Sequence, residues 1–445
     1  MTFEAFQELV KEEALKAGLQ EYELYYTEEE NTQSKGINQE ISSFSSDMEC
    51  GVGFRCILNG KTGYSATEWF TPEQAHELVR IAMENAQTLE TEEETKIYGP
   101  CDHYQEVESS ELPAIDLQEA ALKIQREAKE TDARVQGGSM STVAHVRGKV
   151  RIINSKGLDL QHEYEEQVAG IMAVVKEGDT QYSGSQYEAK PFHPDVFRTL
   201  ARKAVENAVA KIGAGSVPTG IYDVILDADA MGSILEAYVP IFDAGQAQKG
   251  MSLLGGQEGQ PTAAYCVTVM DDPFYKDSMV AIPFDAEGTA TYTKAVIREG
   301  VLETLLYNHK TADKAGVNTT GNASKAGYAG TVETSPYTFY VKPGEKSLAE
   351  MMKAVEQGVY VTSVTGLHAG TNAITGDFSI QCGGFMIRNG VKAEAVTSFT
   401  ISGNFFDMLK QVKEIGSDLQ FQLPSGFTMI GAPSVWVGKL SVAGE

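Results

Sequence analysis

Residues 232–240 have the pattern of a zinc-dependent hydrolytic helix without its metal ligands. In a His-Glu-x-x-x-His helix, two imidazoles about one turn apart bind zinc, and the adjacent glutamate activates a zinc-bound water. Glu236 occupies the glutamate position here, but Leu235 and Pro240 occupy the two histidine positions. Neither side chain can donate a lone pair to zinc. We therefore expect no metal in this chain, and we interpret Glu236 as a helix residue that has no metal-bound water to activate.

The other histidines and acidic groups do not form a recognisable metal site in the sequence. No two of the seven histidines lie within four residues of each other, so no helical pair of ligands exists. His162 precedes Glu163 but has no second histidine, and we predict that it lies on a strand with a solvated acidic face. Asp271-Asp272 and Asp285-Ala286-Glu287-Gly288 could bind a cation. Such residues more often end strands and form turns, which is the interpretation we favour.

Helix and strand signals alternate in the first half of the chain. Apolar residues at helical spacing predict helices, and Thr71 with Pro72 has the pattern of a helix start. Asn59-Gly60 predicts a two-residue hairpin turn, because both positions tolerate positive φ. The predicted helices lie at residues 2–17 and 71–87, from Asp116, and from Pro194 to about Gly213. The predicted strands lie at 22–26, within 41–69, at 138–153 and at 158–175, and residues 91–113 are predicted to form a solvated acidic loop.

The second half is predicted to be mostly β, with many glycines and short strands that favour a curved or barrel-like sheet. Residues 214–220 are small and turn-rich, so we place a domain boundary there, with an N-terminal α/β domain at 1–215 and a C-terminal β-rich domain at 216–445. The predicted fold class is α+β. Strands are predicted at 222–226, 266–270 (with Cys266 as an apolar filler), 292–298 and 301–307, and helices at 231–239 and from Ser347 to Gly358. Glu299-Gly300 and Asn389-Gly390 are predicted hairpin turns.

Composition excludes several classes of function. The chain has 445 residues and a formal charge of −26, from 62 acidic and 36 basic residues. Such a surface repels phosphate backbones, so direct nucleic-acid binding is not expected. No apolar run approaches the roughly 18 residues needed to span a bilayer, and the N-terminus lacks the pattern of a signal peptide. Five scattered cysteines do not indicate a disulfide framework. These features predict a cytoplasmic protein that does not bind membranes.

The sequence resembles the TldD/TldE (PmbA) family, and its TldE/PmbA branch in particular, over almost its whole length. No single segment is specific, but their number and order are. The matching segments are Gly51-Val52-Gly53-Phe54-Arg55, Gly63-Tyr64-Ser65, Thr268-Val269-Met270-Asp271-Asp272, Phe284-Asp285-Ala286-Glu287-Gly288, Thr319-Thr320-Gly321-Asn322-Ala323, Val364-Thr365-Gly366 and Thr375-Gly376-Asp377-Phe378-Ser379. The resemblance implies an N-terminal α/β domain and a C-terminal domain on a curved, barrel-like sheet.

The resemblance also implies a two-subunit zinc peptidase that acts on unfolded or short peptides. In the TldD subunit, His-Glu-x-x-x-His and a cysteine near the C-terminus bind zinc, whereas the TldE subunit lacks these ligands. This sequence has Leu235 and Pro240 at the histidine positions and no cysteine after Cys382. We therefore expect a non-catalytic subunit of a peptidase dimer, with zinc in a TldD-like partner. The family label "modulator of DNA gyrase" refers to a genetic association. The acidic charge of this chain argues against direct contact with DNA.

Three residues in glycine-containing loops are our candidates for substrate binding: His368, Gly366 and Asn322. His368 either contacts a peptide or faces solvent as an ordinary loop residue. The loop of Asn322 lacks the lysine of a phosphate-binding loop, so nucleotide binding is not expected. Two other functions remain open. The chain could be a homo-oligomeric peptide-binding or scaffold protein without proteolytic activity, or an autonomous peptidase with an unrecognised site.

Overall fold

The first half of the chain consists of two units with the same order of elements, α-β-β-β-α. The computed structural model describes residues 1–88, 95–107, 112–189, 192, 195–276, 278 and 281–444. The first unit comprises α1 (Phe3–Lys16), β1 (Glu21–Ile37), β2 (Glu40–Leu58), β3 (Lys61–Thr67) and α2 (Pro72–Thr88). The second comprises α3 (Leu117–Thr131), β4 (Met140–Asn154), β5 (Asp159–Glu177), β6 (Thr180–Ala189) and α4 (Val196–Val209). The strands form one antiparallel sheet in the order β3-β2-β1-β4-β5-β6.

The two faces of this first sheet pack against different parts of the molecule. Successive side chains of a strand point to opposite faces. On β1, Leu24 and Tyr26 lie in the apolar cluster with α1 and α2, while Tyr25 between them packs against the second half of the chain. Helices α3 and α4 cover the other end of the sheet, with Ile124 and Leu200 buried between them. The sheet thus carries the first half's own core on one face and an interface on the other.

Several local signals in the sequence are confirmed. The Thr2 and Asp116 side chains accept hydrogen bonds from backbone N–H groups in the first turns of α1 and α3. Asn59 and Gly60 both have positive φ between the paired ends of β2 and β3. The predicted start of a helix at Pro194 lies outside the described residues, and α4 is described from Val196. Short-range rules therefore locate most element ends in the first half.

The second half combines a small closed barrel with a second mixed sheet. Its helices are α5 (Ala228–Tyr238), a 3₁₀ helix (Val239–Phe242), α6 (Ala244–Gln248), α7 (His309–Ala315), α8 (Leu348–Val355), α9 (Leu367–Gly370) and α10 (Phe405–Gln411). Its strands are β7 (Gly220–Leu226), β8 (Val269–Asp271), β9 (Lys294–Arg298), β10 (Val301–Leu302), β11 (Ala323–Ser324), β12 (Glu333–Thr334), β13 (Thr338–Val341), β14 (Gln357–Thr365), β15 (Asp377–Arg388), β16 (Val391–Asn404), β17 (Glu414–Ile415), β18 (Gln420–Phe421), β19 (Met429–Ala432) and β20 (Val435–Ala443).

The order β16-β15-β14-β7-β20 closes into a barrel, because β16 also pairs with β20. A second sheet has the order β10-β9-β8-β13-β19-β18, and α5 packs between the two sheets in the largest apolar core. The predicted α+β class with a barrel-like sheet is confirmed. Within the residue ranges that the structure describes, no helix has both the length and the apolar character needed to cross a membrane.

The structure corrects four local predictions. Cys266 lies in an exposed turn before β8, so its assignment as a buried strand residue is wrong. Helix α8 ends at Val355, before Gly358, because Glu356 adopts positive φ and β14 begins at the next residue. The strand predicted at 301–307 is only two residues long. The hairpin turns of Glu299-Gly300 and Asn389-Gly390 are confirmed, with positive φ at all four residues.

The fourth correction concerns the segment predicted as a solvated acidic loop. Residues 91–94 and 108–111 lie outside the described residues, but 95–107 pack across the junction of the two halves. Ile97 is buried, and the Tyr104 hydroxyl donates a hydrogen bond to the Gly288 carbonyl oxygen at 2.9 Å. The apolar and aromatic residues within this acidic stretch therefore decide its position, and the acidic residues do not.

Candidate functional site

Helix α5 carries the residues at the positions of the zinc-binding motif. Asp227 caps it, accepting a hydrogen bond from the Ala230 N–H at 2.7 Å. Apolar residues at helical spacing place one face in the core, and Leu235 lies on that face, 1% exposed. Glu236 is next in sequence and lies on the exposed side, while Pro240 is exposed in the following 3₁₀ helix. The amphipathic pattern of the helix therefore buries the first ligand position and exposes the glutamate.

The side chains on this helix do not fit a zinc ion. Zinc in proteins takes three or four donors from histidine, cysteine or carboxylate side chains. Leu235 presents only carbon atoms and is surrounded by other apolar side chains, and Pro240 has no donor atom in its side chain. Among all described residues, no group of three or more His, Cys, Asp or Glu side chains is arranged to hold a metal. No step of a metal-dependent reaction can be assigned to these residues.

The groups around Glu236 come from three separate parts of the chain. The Tyr187 hydroxyl, from edge strand β6, donates a hydrogen bond to Asp229 Oδ1 at 3.1 Å. Gln422 Nε2, just after β18, donates to Ser233 Oγ at 2.7 Å and to the Asp229 carbonyl oxygen at 3.2 Å. Burial raises the pKa of Tyr187, with Asp229 and Glu236 adding to the shift, and burial also raises the pKa of Glu236. The exposed side of α5 is thus an acidic, hydrogen-bonded surface.

His368 lies on the short helix α9 and Gly366 directly precedes that helix as its N-cap; α9 packs against α5. Both are exposed. The Tyr238 hydroxyl at the end of α5 donates hydrogen bonds to the carbonyl oxygens of Gly376 and Asp377, at 3.0 and 2.9 Å, and so fixes the segment that follows α9. The structure therefore brings the helices of His368 and Glu236 into contact.

Asn322 lies elsewhere and is 0% exposed. Its amide donates hydrogen bonds to Asp271 Oδ2 at 2.7 Å and to the Ser335 carbonyl oxygen at 3.1 Å. Asp271 is also fully buried, pairs with Lys294 at 3.0 Å and accepts the Tyr337 N–H at 2.8 Å. The Asn322 amide nitrogen is therefore bonded within the core, whereas its Oδ1 is buried without a hydrogen-bond partner in the part of the chain that the structure describes. The substrate contact that we predicted for it stays a prediction.

The strongest concentration of buried charge lies between the two halves of the molecule, where an arginine of β2 meets three charged side chains. We refer to Arg55, Glu23, Glu287 and Lys325 as the Arg55 cluster. Arg55 Nη2 lies 3.0 Å from Glu23 Oε2, and Arg55 Nη1 lies 3.1 Å from Glu287 Oε1. Lys325 Nζ lies 3.9 Å from Glu23 Oε1 and 4.4 Å from the centre of the Tyr25 ring. Since Glu23 and Arg55 belong to the first sheet and the other two to the second half, these ion pairs join the halves.

The environment of the cluster shifts the pKa values of its basic groups in opposite directions. Burial lowers the pKa of Arg55, but Glu23 and Glu287 raise it by more, so the guanidinium is held charged. Burial lowers the pKa of Lys325 to about 8, although Glu23 partly opposes the shift. Lys325 is therefore the basic group of the cluster that is easiest to neutralise.

Two backbone segments approach each other closely next to the Arg55 cluster, which explains why the segment Gly51–Arg55 has glycine at position 53. The segment between β11 and β12 lies on β2, where a Cβ on Gly53 would be 1.9 Å from the Tyr328 carbonyl oxygen. No side chain fits at that distance. Three family-like segments thus meet here: Gly51–Arg55, Asp285–Gly288 and Asn322-Ala323. Gly53 leaves room for the loop between β11 and β12, and Arg55 forms an ion pair with Glu287. Asp285 accepts the Ala323 N–H at 3.0 Å.

Sequence reasoning missed this cluster because it interpreted Asp285 and Glu287 only as turn and strand-end residues and assigned no partner to Arg55. The turn interpretation of Asp285 agrees with the structure, since Asp285 accepts the N–H groups of Glu287 and Thr289, both at 2.9 Å. Asp285, Asp271 and Glu287 are nevertheless at most 5% exposed. Burial and a nearby Glu287 raise the pKa of Asp285. The available signal was that the family-like segments carry both an arginine and carboxylates.

His162 is another residue that the sequence misplaces. It does lie on a strand, β5, but its side chain faces the second half of the chain, with its ring centre 6.4 Å from that of Phe284. Burial lowers the pKa of His162 to about 4. On the same face of β5, burial and the nearby Glu29 raise the pKa of Glu166 to about 7. The predicted solvated acidic face is therefore wrong for this side of the strand.

The closed barrel and the six-stranded first sheet give the chain the fold of the TldD/TldE-like class of structures. Family models named PmbA/TldA metallopeptidase domain 1, central domain and C-terminal domain match residues 22–86, 105–212 and 219–444. The chain belongs to the PmbA/TldA metallopeptidase family.

Relatives of known sequence or structure match most of the length of the chain. A candidate modulator of a DNA gyrase from Thermotoga maritima is 31% identical, with a TM-score of 0.89 and 99% and 100% of the two chains covered. TldE from Thermococcus kodakarensis has the same fold, with a TM-score of 0.88 at 19% identity over 99% of each chain. A metalloprotease of Methanothermobacter thermautotrophicus is 28% identical over 412 residues, covering 89% of this chain and 88% of the relative.

Proposed function

We propose that this chain is a TldE/PmbA-like, non-catalytic subunit of a cytoplasmic metallopeptidase that acts on unfolded or short peptides. The observation that carries the proposal is the chemistry of the α5 positions: Leu235 is a core residue and Pro240 has no donor, on a helix that still carries Glu236. Since these positions supply no metal ligand, we assign the hydrolytic chemistry to a partner. We therefore place the zinc in a TldD-like subunit that contains His-Glu-x-x-x-His.

The proposed substrate contact uses the exposed side of α5 and α9. His368 and Glu236 lie on adjoining helices, and α5 contacts the edge strand β6 through Asp229 and Tyr187. A peptide in extended conformation can bind to strand edges through main-chain hydrogen bonds without sequence preference. Nucleic acid is not a proposed partner, because a chain with a charge of −26 repels phosphate.

Native mass spectrometry of the tagged chain, purified gently from its own host, tests the subunit assignment. We expect a heteromer with a second chain of similar size and one zinc ion for each pair. Peptide cleavage should then require the pair and be absent from either chain alone. A metal-free homo-oligomer would contradict the assignment and favour a peptide-binding or scaffold protein. A zinc-free single chain that cleaves peptides would instead favour an autonomous peptidase.

A further inference from the structure

The N-terminal part of β2 has a free strand edge. Strand β1 pairs with β2 from Glu40 to Ile57, and the pairing is regular from Ser43 onwards. On the other side of β2, strand β3 pairs only with the later residues 52–58. In the part of the chain that the structure describes, residues 43–51 therefore have a neighbouring strand on one side only. Every second residue of such a strand directs its N–H and C=O groups away from the sheet, where an added strand can pair with them.

Apolar side chains lie beside this edge on the face of the sheet that bears the helices. Phe44 and Met48 share that face and are 52% and 69% exposed. Phe44 also lines a cavity of about 430 Å³ together with Ile115, Leu117 and several polar side chains. The side chains of an added strand alternate between the two faces of the sheet. Those that point to this face would contact apolar surface.

The opposite face is acidic beside the same edge. Asp47 and Glu49 lie there, and Glu49 is directly opposite Glu29 of β1. Like charges at directly opposite positions destabilise a sheet. Asp47 and Glu49 are both exposed, and among the described residues no cation lies within ion-pair distance of either. A cation on an added strand would therefore gain two unpaired carboxylates and reduce the repulsion between Glu29 and Glu49.

These charges decide which kind of strand can be added. A second copy of this chain would bring the acidic side chains of two chains to one edge, and each chain has a net charge of −26. Self-pairing is therefore disfavoured. A strand with cations on the acidic side and apolar side chains on the other is complementary to both faces.

We propose that residues 43–51 bind an extended peptide segment in which basic and apolar residues alternate. Main-chain hydrogen bonds hold the segment to β2, and its side chains supply the preference that main-chain bonds lack. The site lies at the β2 side of the first sheet, away from β6 and α5. It deepens the proposed function, on which the assignment of the bound peptide as a substrate rests.

Fluorescence anisotropy with the full-length chain and labelled peptides tests the proposal. The probe is Lys-Val-Lys-Val-Lys-Val-Lys, blocked at both ends, and the comparison peptides are Glu-Val-Glu-Val-Glu-Val-Glu and Lys-Ser-Lys-Ser-Lys-Ser-Lys. We expect the probe to bind about fivefold more tightly than either comparison peptide, and its affinity to fall with added salt. An affinity for the probe no higher than for the serine peptide would show that binding is electrostatic only and would overturn the proposal.

Methylated versions of the probe test strand addition. Methyl groups on the amide nitrogens of alternate residues remove the donors from one edge of an extended peptide and leave those of the other edge. One of the two alternately methylated probes should lose binding and the other should keep it. Equal affinities of the two would show that no peptide edge pairs with β2 and would overturn the proposal.

Matched variants locate the binding. Asp47→Asn with Glu49→Gln should weaken binding of the probe about fivefold. Asp102→Asn with Glu106→Gln removes the same charge from two exposed residues away from β2 and should leave binding unchanged. Equal affinities of the two double variants would place the peptide elsewhere and overturn the assignment.

Peptide cleavage by the assembled pair is measured separately. Absence of probe binding with intact cleavage would overturn this inference and leave the proposed function in place. Binding of the probe by a chain that forms no zinc-containing pair would support this site and contradict only the proposed function.

Discussion

Helix α5 and the Arg55 cluster both lie in family-like parts of the sequence, but α5 lacks the metal-binding side chains of its motif, whereas the cluster has buried charged ones. At the motif positions, the metal ligands are replaced by a leucine in the apolar core of α5 (Leu235) and by an exposed proline in the following 3₁₀ helix (Pro240). At the cluster, an arginine, a lysine and two glutamates form buried ion pairs. An amphipathic helix can exchange a ligand for leucine without leaving any group unpaired. A buried cluster cannot lose one member in the same way, because the remaining charges would have no partner. We therefore expect folding to depend much more on the cluster than on Glu236.

The largest effect should come from Arg55→Met. Removing the guanidinium leaves the Glu23 and Glu287 carboxylates buried without their cation, and loss of one partner from a buried pair costs about 3–5 kcal/mol. We expect the free energy of unfolding in urea to fall by that amount. Arg198→Met is the control, since Arg198 pairs with Glu127 at the surface and should change stability by less than about 1 kcal/mol.

A triple variant, Arg55→Met with Glu23→Gln and Glu287→Gln, sharpens this prediction. It removes the three charges together, so it should be more stable than Arg55→Met alone. If Arg55→Met were as stable as the Arg198→Met control, the buried ion pairs would not hold the halves together and the contrast with α5 would fail.

The next effect concerns the former ligand position itself. Leu235→Ala should lower the free energy of unfolding by about 2–4 kcal/mol, because it leaves a cavity in the largest core. The control is Ile221→Ala, since Ile221 is 75% exposed and should change stability little. Urea unfolding monitored by circular dichroism measures both. A loss as small as the control's would mean that Leu235 is not part of the packed core and that the position could still accept a polar ligand.

The cap of α5 gives a prediction of pH dependence. Burial raises the pKa of Asp227 to about 7, against 3.8 for an ordinary aspartate, although the Ala230 N–H opposes the shift. A carboxyl with a raised pKa in the folded state contributes stability below pH 4, and that contribution is lost as the pH rises from about 4 to 7.

Asp227→Asn keeps a good helix cap without the charge. Each unit of pKa difference amounts to about 1.4 kcal/mol, so a difference of about three units sets an upper bound of roughly 4 kcal/mol. Because Asp227 is only partly buried, screening by solvent lowers this figure. The variant should gain about 1–3 kcal/mol over the wild-type chain at pH 8, and little at pH 4. Urea titrations at the two pH values measure this difference. A variant that is less stable at pH 8 would show that the carboxylate is stabilised by its contacts and not penalised by burial.

Much of the fold could be predicted because its signals are local. The Thr2 and Asp116 caps and the Asn59-Gly60 turn depend on a few neighbouring residues, and the structure has all of them. The segment 95–107 could not be placed in this way. Its acidic composition predicted that it is exposed to solvent, whereas Ile97 and Tyr104 hold it against distant parts of the chain.

The candidate site could likewise be predicted only where its residues are close together in the sequence. The motif positions on α5 are contiguous in sequence, so the side-chain chemistry of Leu235, Glu236 and Pro240 could be interpreted from the sequence alone. The Arg55 cluster joins residues more than 200 positions apart, as in the pair Arg55–Glu287. Helical or strand periodicity carries no signal for such a contact. Only the observation that the family-like segments contain complementary charges pointed towards it.

The smallest effect should come from Glu236→Gln, and it tests the proposed function most directly. Glu236 is exposed and has no donor-bearing ligand beside it on α5. The substitution should therefore change the free energy of unfolding by less than about 0.5 kcal/mol and leave kcat for peptide cleavage by the assembled pair unchanged, with any effect confined to KM through the proposed peptide contact. The matched change is Glu→Gln in the His-Glu-x-x-x-His motif of the partner, which should abolish cleavage if the partner's glutamate activates water. A large loss of kcat from Glu236→Gln in this chain, with stability unchanged, would assign Glu236 a catalytic role. The contrast between a helix without catalytic function and a cluster that stabilises the fold would then fail.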